Sequence, residues 1–444
     1  MTDGPRRALL SLFAFAYLLR ALPVLGAGAL PDAATVAQQS GSSVEFEDGV
    51  KAVSYSRTRK GRYLSFGDAF PKQVLSVWVK DEFWGEMPTA DGLLNRTVRI
   101  RGQIENSSTG PLIHLEGPEQ FELLPLDEAA VLQKDLDGRS GRQHFKAVVV
   151  QNFERGAFSK LEAQASELLK TRARFNDGTW QLQAFYDAFD LPGRISQARY
   201  DWTAQALDKW LEAHPFSVHA IILKANLQVD SAWKARGEGY AHTVTEEGSE
   251  GFRRELAAAR QLLEANGHAR SSSHFFVTMQ SVALGEGWPK HEYFRLLQDG
   301  IEREPDYYQL YFSAAHYLPP RWHGAEGEWE EFAEQQRRRR GGVEGDILYT
   351  RIVWSMGGRY RGSDLFKKSA VSWEQMAAGF DSLVRQRPDS AYVKNAYAHF
   401  AYRAGDRKRL LALLGEILDA PDMSIWVNQE NVENAKNFAV SSSD

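Results

Sequence analysis

Cysteine is absent from the 444 residues. Its absence excludes disulfides, thiolate metal sites, cysteine nucleophiles and a lipidated N-terminal cysteine together. A surplus of positive charge is missing as well. Lys and Arg number 53 against 58 Asp and Glu, a net charge of −5, so no global basic field recruits nucleic acid or an anionic membrane. Nor does the chain carry Gly-x-Ser-x-Gly, His-Glu-x-x-His or Gly-x-x-x-x-Gly-Lys, which removes the usual sequence signals of a hydrolase elbow, a zinc-protease helix and a phosphate loop. What is present is ordinary: 43% apolar and 25% charged residues, which argues against disorder, collagen and multi-span membrane classes. The length suggests two to three domains. Twelve tryptophans need large packed surfaces or ligand platforms.

At the N-terminus Arg6 and Arg7 precede an apolar run, Ala8 to Leu19, that ends at Arg20. A second apolar patch, Ala21 to Leu30, contains Ala27-Gly28-Ala29. Positive start, short apolar run and small-residue exit predict a signal peptide over 1–29. The first run would reach only about 18 Å as a helix, against a hydrocarbon core of about 30 Å. The expectation is an exported, periplasmic protein with no membrane span after signal cleavage. The alternative is an inner-membrane anchor formed by an uncleaved signal. Pro31 to Ser43 reads as a flexible lead.

From Val44 to Leu124 the hydrophobic period is 2. Strands are predicted near Val50–Tyr55, Tyr63–Phe66, Val74–Val79, Thr97–Ile104, Leu112–Leu115 and Phe121–Leu124, with one short helix at Glu86–Asn95. Val98, Ile100, Gly102 and Ile104 fall on one face of their strand, with polar residues opposite. Many short strands with one helical excursion predict a small closed barrel over 44–125. The run Gly61-Arg62-Tyr63-Leu64-Ser65-Phe66-Gly67, with Pro71, Gln73 and Val74, then Val98 to Ile104, resembles a group of small OB-fold domains. That resemblance implies single-strand or oligosaccharide binding by stacking and basic grooves. Ten Lys or Arg between Lys51 and Arg101 meet five acids there, but Glu45, Glu47, Asp48, Glu105, Glu116, Glu119 and Glu122 bring the domain to −2. Nucleic acid is therefore not expected as a partner, and Trp78, between Val77 and Val79, is read as a packed barrel residue.

Residues 126–143 lose the strand pattern and are read as a linker. Beyond them, over 144–440, helical spacing takes over. Phe158, Leu161, Ala165 and Leu168-Leu169 form one apolar stripe, and Trp202, Ala206 and Trp210-Leu211 another. Trp202, Trp210 and Trp233 are expected to be buried between helices. Three helices end alike, at His214-Pro215, Glu304-Pro305 and Arg387-Pro388, with prolines 90 and 83 residues apart. Each is followed by a short turn and a second helix, predicted over Ile221–Trp233, Tyr307–Leu318 and Ser390–Ala404. Helix, Pro-containing turn and antiparallel helix is the unit of tetratricopeptide-like arrays, whose stacked pairs offer a concave surface to a partner.

Between Phe185 and Asp406 a second resemblance rests on several runs in order. They are Ala232-Trp233-Lys234-Ala235-Arg236-Gly237-Glu238-Gly239-Tyr240-Ala241, then Tyr317-Leu318-Pro319-Pro320-Arg321-Trp322-His323-Gly324, then Tyr349 to Trp354, Trp373 to Met376, and Ala401 to Asp406. Together they resemble a bacterial family catalogued as domain of unknown function 4034. The resemblance implies a tetratricopeptide-like fold and transfers no activity. The fold class expected is thus α+β multidomain: a small OB-like β-barrel, then an all-α tetratricopeptide-like helical array.

Candidate chemistry is thin. Gly237-x-Gly239 follows a helix and reads as a helix C-cap. His242 and Glu246 have the i, i+4 spacing of metal ligands, but the three β-branched residues in a row between them (Thr243-Val244-Thr245) and a nearby glycine pair argue against a helix and favour a polar loop, and neither a metal nor a cofactor is expected. Arg321-Trp322-His323-Gly324 follows two prolines and so lies on a loop. There Arg321 could hold an anion, Trp322 serve as platform and His323 as donor; the plainer expectation is a corner with Trp322 packed between helix pairs and Arg321 paired with Glu326 or Glu328. Arg337 to Arg340 read as a solvated helix end. The function expected is non-enzymatic binding or scaffolding in the bacterial cell envelope, with a protein or peptide partner on the array and Arg236, His242, Glu246, Arg321, Trp322 and His323 as candidate contacts. The alternatives are a hydrolase or transferase centred on Arg236, His242, Glu246, Arg321 and His323, or single-stranded nucleic-acid or oligosaccharide binding by the OB-like domain.

Overall fold

The computed structural model describes residues 30–56, 58–68, 70–84, 93, 96–128, 131, 136–190, 197–237, 244–417 and 421–441. The expected signal peptide and most of the short helix expected at 86–95 lie outside them. The first described element is a single turn, α1 (Ala33–Val36), capped by the Asp32 carboxylate, which accepts from the Thr35 N–H at 2.8 Å. Ala33 and Val36 are buried in the β core, and the Glu47 N–H donates to the Pro31 carbonyl. The expected flexible lead is therefore corrected: two small apolar residues pin it to the sheet.

Seven strands follow: β1 (Ser43–Gly49), β2 (Ala52–Ser56), β3 (Gly61–Phe66), β4 (Leu75–Lys80), β5 (Thr97–Ser107), β6 (Gly110–His114) and β7 (Phe121–Leu123). The one-turn α2 (Asp81–Trp84) comes after β4. Their order is β1-β5-β6-β4-β3-β2, with β7 on β5; β4 and β6 pair in parallel. This is an open path, so strand pairing does not itself close the small barrel expected from the sequence. The alternation of β5 does hold: Val98, Ile100 and Ile104 are buried. Gly102 lies on the same face because Ile113 crosses there, and a Cβ would come within 2.4 Å of its Cγ2. On the opposite face the register sets Arg99 against Glu47 and Arg101 against Glu45. Arg99 binds Glu47 and Glu122 at 2.5 and 2.6 Å, and Arg101 binds Glu45 at 2.8 Å. Those cations are paired across strands. Trp78 is buried against Tyr63, as expected.

The helical part starts at Gly138, inside the stretch read as a linker. It comprises α3 (Gly138–Glu154), α4 (Phe158–Thr171), α5 (Gln181–Asp187), α6 (Gln197–Ala213), α7 (Val218–Arg236), α8 (Glu246–Ala265) and α9 (Ser273–Glu286). Then come α10 (Lys290–Arg303), α11 (Gln309–Tyr317), α12 (Glu328–Arg340), α13 (Gly342–Met356), α14 (Asp364–Lys368) and α15 (Trp373–Gln386). Last are α16 (Ala391–Ala404), α17 (Arg407–Ile417), α18 (Met423–Trp426) and α19 (Gln429–Val440). The three proline turns fall between α6 and α7, α10 and α11, and α15 and α16. In two of them a serine restarts the helix: Ser217 accepts from the Ala220 N–H and Ser390 from the Val393 N–H, each satisfying one of the first-turn donors left without a helical partner. Gly237 caps α7 at φ +75°, as its sequence context implied. Helices α7, α9, α11 and α13 each pack on the next, with α8, α10 and α12 seated between successive members.

Trp210 is fully buried, Trp233 is half-buried, and Trp202 is 36% exposed. The Trp202 ring meets Phe153 edge-on and lies under the Arg199 guanidinium, so one side of it faces solvent rather than a second helix. The arginines that end α12 are not simply solvated either. Arg337 binds Glu334 and Asp346, Arg338 binds Glu334, Arg339 donates to Gln298, and Arg340 pairs with Asp306.

The connection from α4 to α5, residues 172–180, reaches far across the array. Trp180 Nε1 donates to the Asp306 carbonyl at 2.8 Å, and its ring stands edge-on to Tyr307. The buried Asp177 carboxylate accepts from Arg142, and its carbonyl accepts from Arg351 Nη2 at 2.5 Å. Just before α3, Asp137 accepts from Ser390 Oγ at 2.6 Å and from the Tyr392 N–H at 2.8 Å. Arg142 and Asp177 are 35 residues apart; the other partners are separated by 126 to 255 residues of sequence. Two of the turns that punctuate the array thus also receive a segment from its beginning.

Candidate functional site

The Arg321–Gly324 loop is tight because α11 ends at Tyr317 and Pro319-Pro320 blocks its continuation. The Trp322 N–H donates to the Pro319 carbonyl at 2.9 Å and the His323 N–H to the Tyr317 carbonyl at 3.2 Å. Gly324 follows in so narrow a place that a Cβ would lie 1.7 Å from the Leu318 carbonyl oxygen. This turn directs Trp322 back toward α7. Its ring stands edge-on to Trp233, with centroids 5.6 Å apart, and Trp233 in turn rests on Phe252 of α8. The Arg236 guanidinium lies 5.6 Å from the Trp233 ring centre, and that of Arg321 lies 5.0 Å from the Trp322 ring centre. The result is a row of cation, indole, indole and cation, in which each guanidinium faces a negative π surface.

Of the six residues singled out from the sequence, Arg236, Arg321 and Trp322 come together in this row. His323 is adjacent but otherwise engaged: its ring stacks on Tyr317 and its Nε2 donates to the Leu284 carbonyl at 2.9 Å. Glu246 is exposed in the first turn of α8, and no contact among the described residues joins it to the others. His242 lies outside the described residues.

Sequence reasoning missed two groups at this place. His316, on α11, lies against Trp322 at 5.6 Å, and Arg359 Nη2 donates to its Nδ1 at 2.5 Å. An imidazole that accepts at Nδ1 carries its proton on Nε2, so His316 is neutral with Nε2–H as its donor. Arg359 sits in the turn after α13, and the buried Arg403 of α16 fixes that turn. Arg403 donates to the carbonyls of Gly362, Gly357 and Tyr360 at 2.8, 3.0 and 3.0 Å. His316 was discoverable only as the polar residue one turn before the loop. Arg359, 38 positions beyond Arg321 in sequence, carried no signal.

Beside this group lies a cleft of about 250 Å³ between α9, α11 and α13, lined by Gln280, Ser281, Gln309, Ser313, His316, Ser355 and Arg359 among others, with no carboxylate in its wall. Burial, then the charges of Arg359 and Arg321, lower the His316 imidazole to about 4. Burial and then Arg321 also lower Arg359. The carboxylate expected to neutralise Arg321 is engaged elsewhere: Glu328 binds Lys290 at 2.7 Å and accepts from the Ala325 N–H at 2.8 Å. Among the described residues neither Arg321 nor Arg359 forms an ion pair, and the expected pairing of Arg321 with Glu326 or Glu328 is not made. A second cleft, of about 360 Å³ between α8, α9 and α10, differs in this respect, because its Arg270 is bound to Asp299.

A separate buried network joins Tyr186, His219, His274 and Tyr307. Tyr186 Oη is 2.8 Å from His219 Nδ1, and His274 Nδ1 is 3.0 Å from Tyr307 Oη. Asn226 Nδ2 donates to His274 Nε2 at 3.3 Å, so His274 carries its proton on Nδ1. These groups are enclosed and fully engaged, and they line neither cleft. No group of three or more His, Asp or Glu among the described residues is arranged to hold a metal ion. No protein-family model matches the chain, and no curated protein matches it.

Proposed function

We propose that this is a non-enzymatic binding or scaffolding protein whose helical array engages a protein or peptide partner on the face formed by α9, α11 and α13. One observation carries the reading: two guanidiniums that form no ion pair among the described residues, Arg359 in the wall of a polar cleft and Arg321 over the neighbouring Trp322 indole, stand on the same side of the array. Structural ion pairs normally satisfy such cations, and aromatic and arginine side chains are what partner-binding surfaces concentrate. Binding is favoured over a hydrolase or transferase at Arg236, His242, Glu246, Arg321 and His323 because Glu246 stands apart and the His323 Nε2–H is held by a carbonyl. The test is selection of peptides from a displayed library against the full chain, followed by titration of the selected peptides into wild type and Trp322→Ala. Loss of binding in a variant that still folds supports the reading; peptides that bind both forms alike place the partner surface elsewhere.

The finer fold assignments are proposals of the same kind. β1 and β2 are separated by only two residues, and across that gap the Val50 N–H donates to the Arg96 carbonyl and the Lys51 N–H to the Ser65 carbonyl. Taken as one bent strand they join the two ends of the sheet, which supports an OB-like barrel. Pairwise packing of α7 to α13 supports a tetratricopeptide-like array; the resemblance to the domain of unknown function 4034 family rests on the sequence runs from Ala232 to Asp406 alone. Export to the periplasm rests on the Arg6-Arg7 start and the apolar run after it; among the described residues no helix is long and apolar enough to cross a membrane.

A further inference from the structure

We infer that the cleft between α9, α11 and α13 receives an oxyanion, a carboxylate or phosphate group carried by the partner, gripped by the Arg359 guanidinium in its wall together with that of Arg321, which lies over the neighbouring Trp322 indole beside the cleft. This deepens the binding reading above and rests on it. Charge is the first ground. The charges acting on His316 are those of Arg359 and Arg321, both positive, and among the described residues the cleft wall supplies no carboxylate to offset them. Like charges gathered without compensation are unfavourable unless an anion arrives. Guanidinium forks match the two-oxygen edge of carboxylate and phosphate and form strong charge-assisted hydrogen bonds with both.

Rigidity is the second ground. Arg359 is not a free surface side chain, because its turn hangs on three hydrogen bonds from the buried Arg403. Gly357, the first residue of that turn, packs so closely on Phe400 that a Cβ would come within 3.0 Å of the ring. Arg321 is held over Trp322, which is itself fixed by Trp233 and His316. Donors positioned before the ligand arrives lose little freedom on binding. Size is the third ground. About 250 Å³ falls below the range of a site that encloses a whole drug-sized ligand, so the cleft suits a group projecting from a larger partner.

Isothermal titration of the full chain at low ionic strength with inorganic phosphate and, separately, with N-acetyl-aspartate tests this. Arg321→Gln and Arg359→Gln are the test variants and Arg339→Gln is the control, with melting curves showing that each is folded. The expected result is saturable binding of at least one probe, weakened tenfold or more in both test variants and unchanged in the control; the probe that binds identifies the source of the oxyanion. Absence of saturable binding by either probe, or binding equal in wild type and both test variants, overturns the inference. The library-selected peptides separate the two claims. If they bind Arg321→Gln and Arg359→Gln as tightly as wild type, the oxyanion site falls and the partner reading stands. If phosphate binds as expected while no peptide does, the oxyanion site stands and the partner reading falls.

Discussion

The rings of Tyr186 and His274 lie 3.9 Å apart and within 7° of parallel, both wholly inside the array. Enclosure there disfavours the charged imidazolium. Burial lowers His274 to about 3 and His219 to about 4, whereas an unfolded histidine titrates near 6.5. As pH falls below about 6.5, the unfolded chain binds protons that the native chain refuses, so stability is full above that pH and drains away down to about 4 for His219 and about 3 for His274. His399, also lowered by burial to about 4, adds to the effect. The slope reaches up to about 1.4 kcal/mol per pH unit for each such histidine. Urea midpoints at pH 7.5, 6 and 5 should fall in that order, and a flat series would contradict the arrangement.

Asp177 offers a sharper substitution. Its side chain is 1% exposed and is the partner of Arg142. Asp177→Ala strands that guanidinium where burial is already heavy, a change that costs about 3–5 kcal/mol in comparable pairs. Chemical denaturation should register it as one of the largest single losses in the chain.

The tryptophans of α6 should separate clearly. Trp210 is fully enclosed and donates from Nε1 to Glu162 at 3.0 Å, so Trp210→Ala should cost about 3–5 kcal/mol. Trp202, 36% exposed, loses its edge contact with Phe153 and its place under Arg199, so Trp202→Ala should cost clearly less than Trp210→Ala. Equal destabilisation by the two changes would show that Trp202 is more deeply packed than it is here.

Within the loop after α11, Gly324→Ala should lower the melting temperature by several degrees, because no Cβ fits 1.7 Å from the Leu318 oxygen. Trp322→Ala should also lower it, through lost contact with Trp233 and His316. Arg321→Ala should stay within about 0.5 kcal/mol, as exposed substitutions usually do. Three melting curves beside wild type decide the order.

Local patterning carried most of the element assignments. Alternation at Val98, Ile100 and Ile104 located β5, and the prolines at 215, 305 and 388 located the helix turns. What stayed hidden depends on contacts between distant residues. Nothing near Ala33 and Val36 indicated that they would enter the β core, and nothing near Trp202 indicated that its neighbouring helix would leave one side open. At the site, the Arg321 loop announced itself through its prolines and aromatic residue. The charge that joins it, Arg359, depends on how α11 and α13 pack and on a clamp from α16, and no window of sequence contains all three.

The segment 172–180 has a consequence for how the chain comes apart. In a stack whose units touch only their neighbours, terminal units fray and melt in turn. Here Trp180, Asp177 and Asp137 bind Asp306, Arg351, Ser390 and Tyr392, so the early helices are completed by turns made much later. Removing α16 to α19 would deprive α3 of its Ser390 and Tyr392 partners and loosen the start of the array as well as its end. The array is thereby made to unravel as a single cooperative body, and during synthesis its first helices must wait, incompletely anchored, until the last ones have emerged.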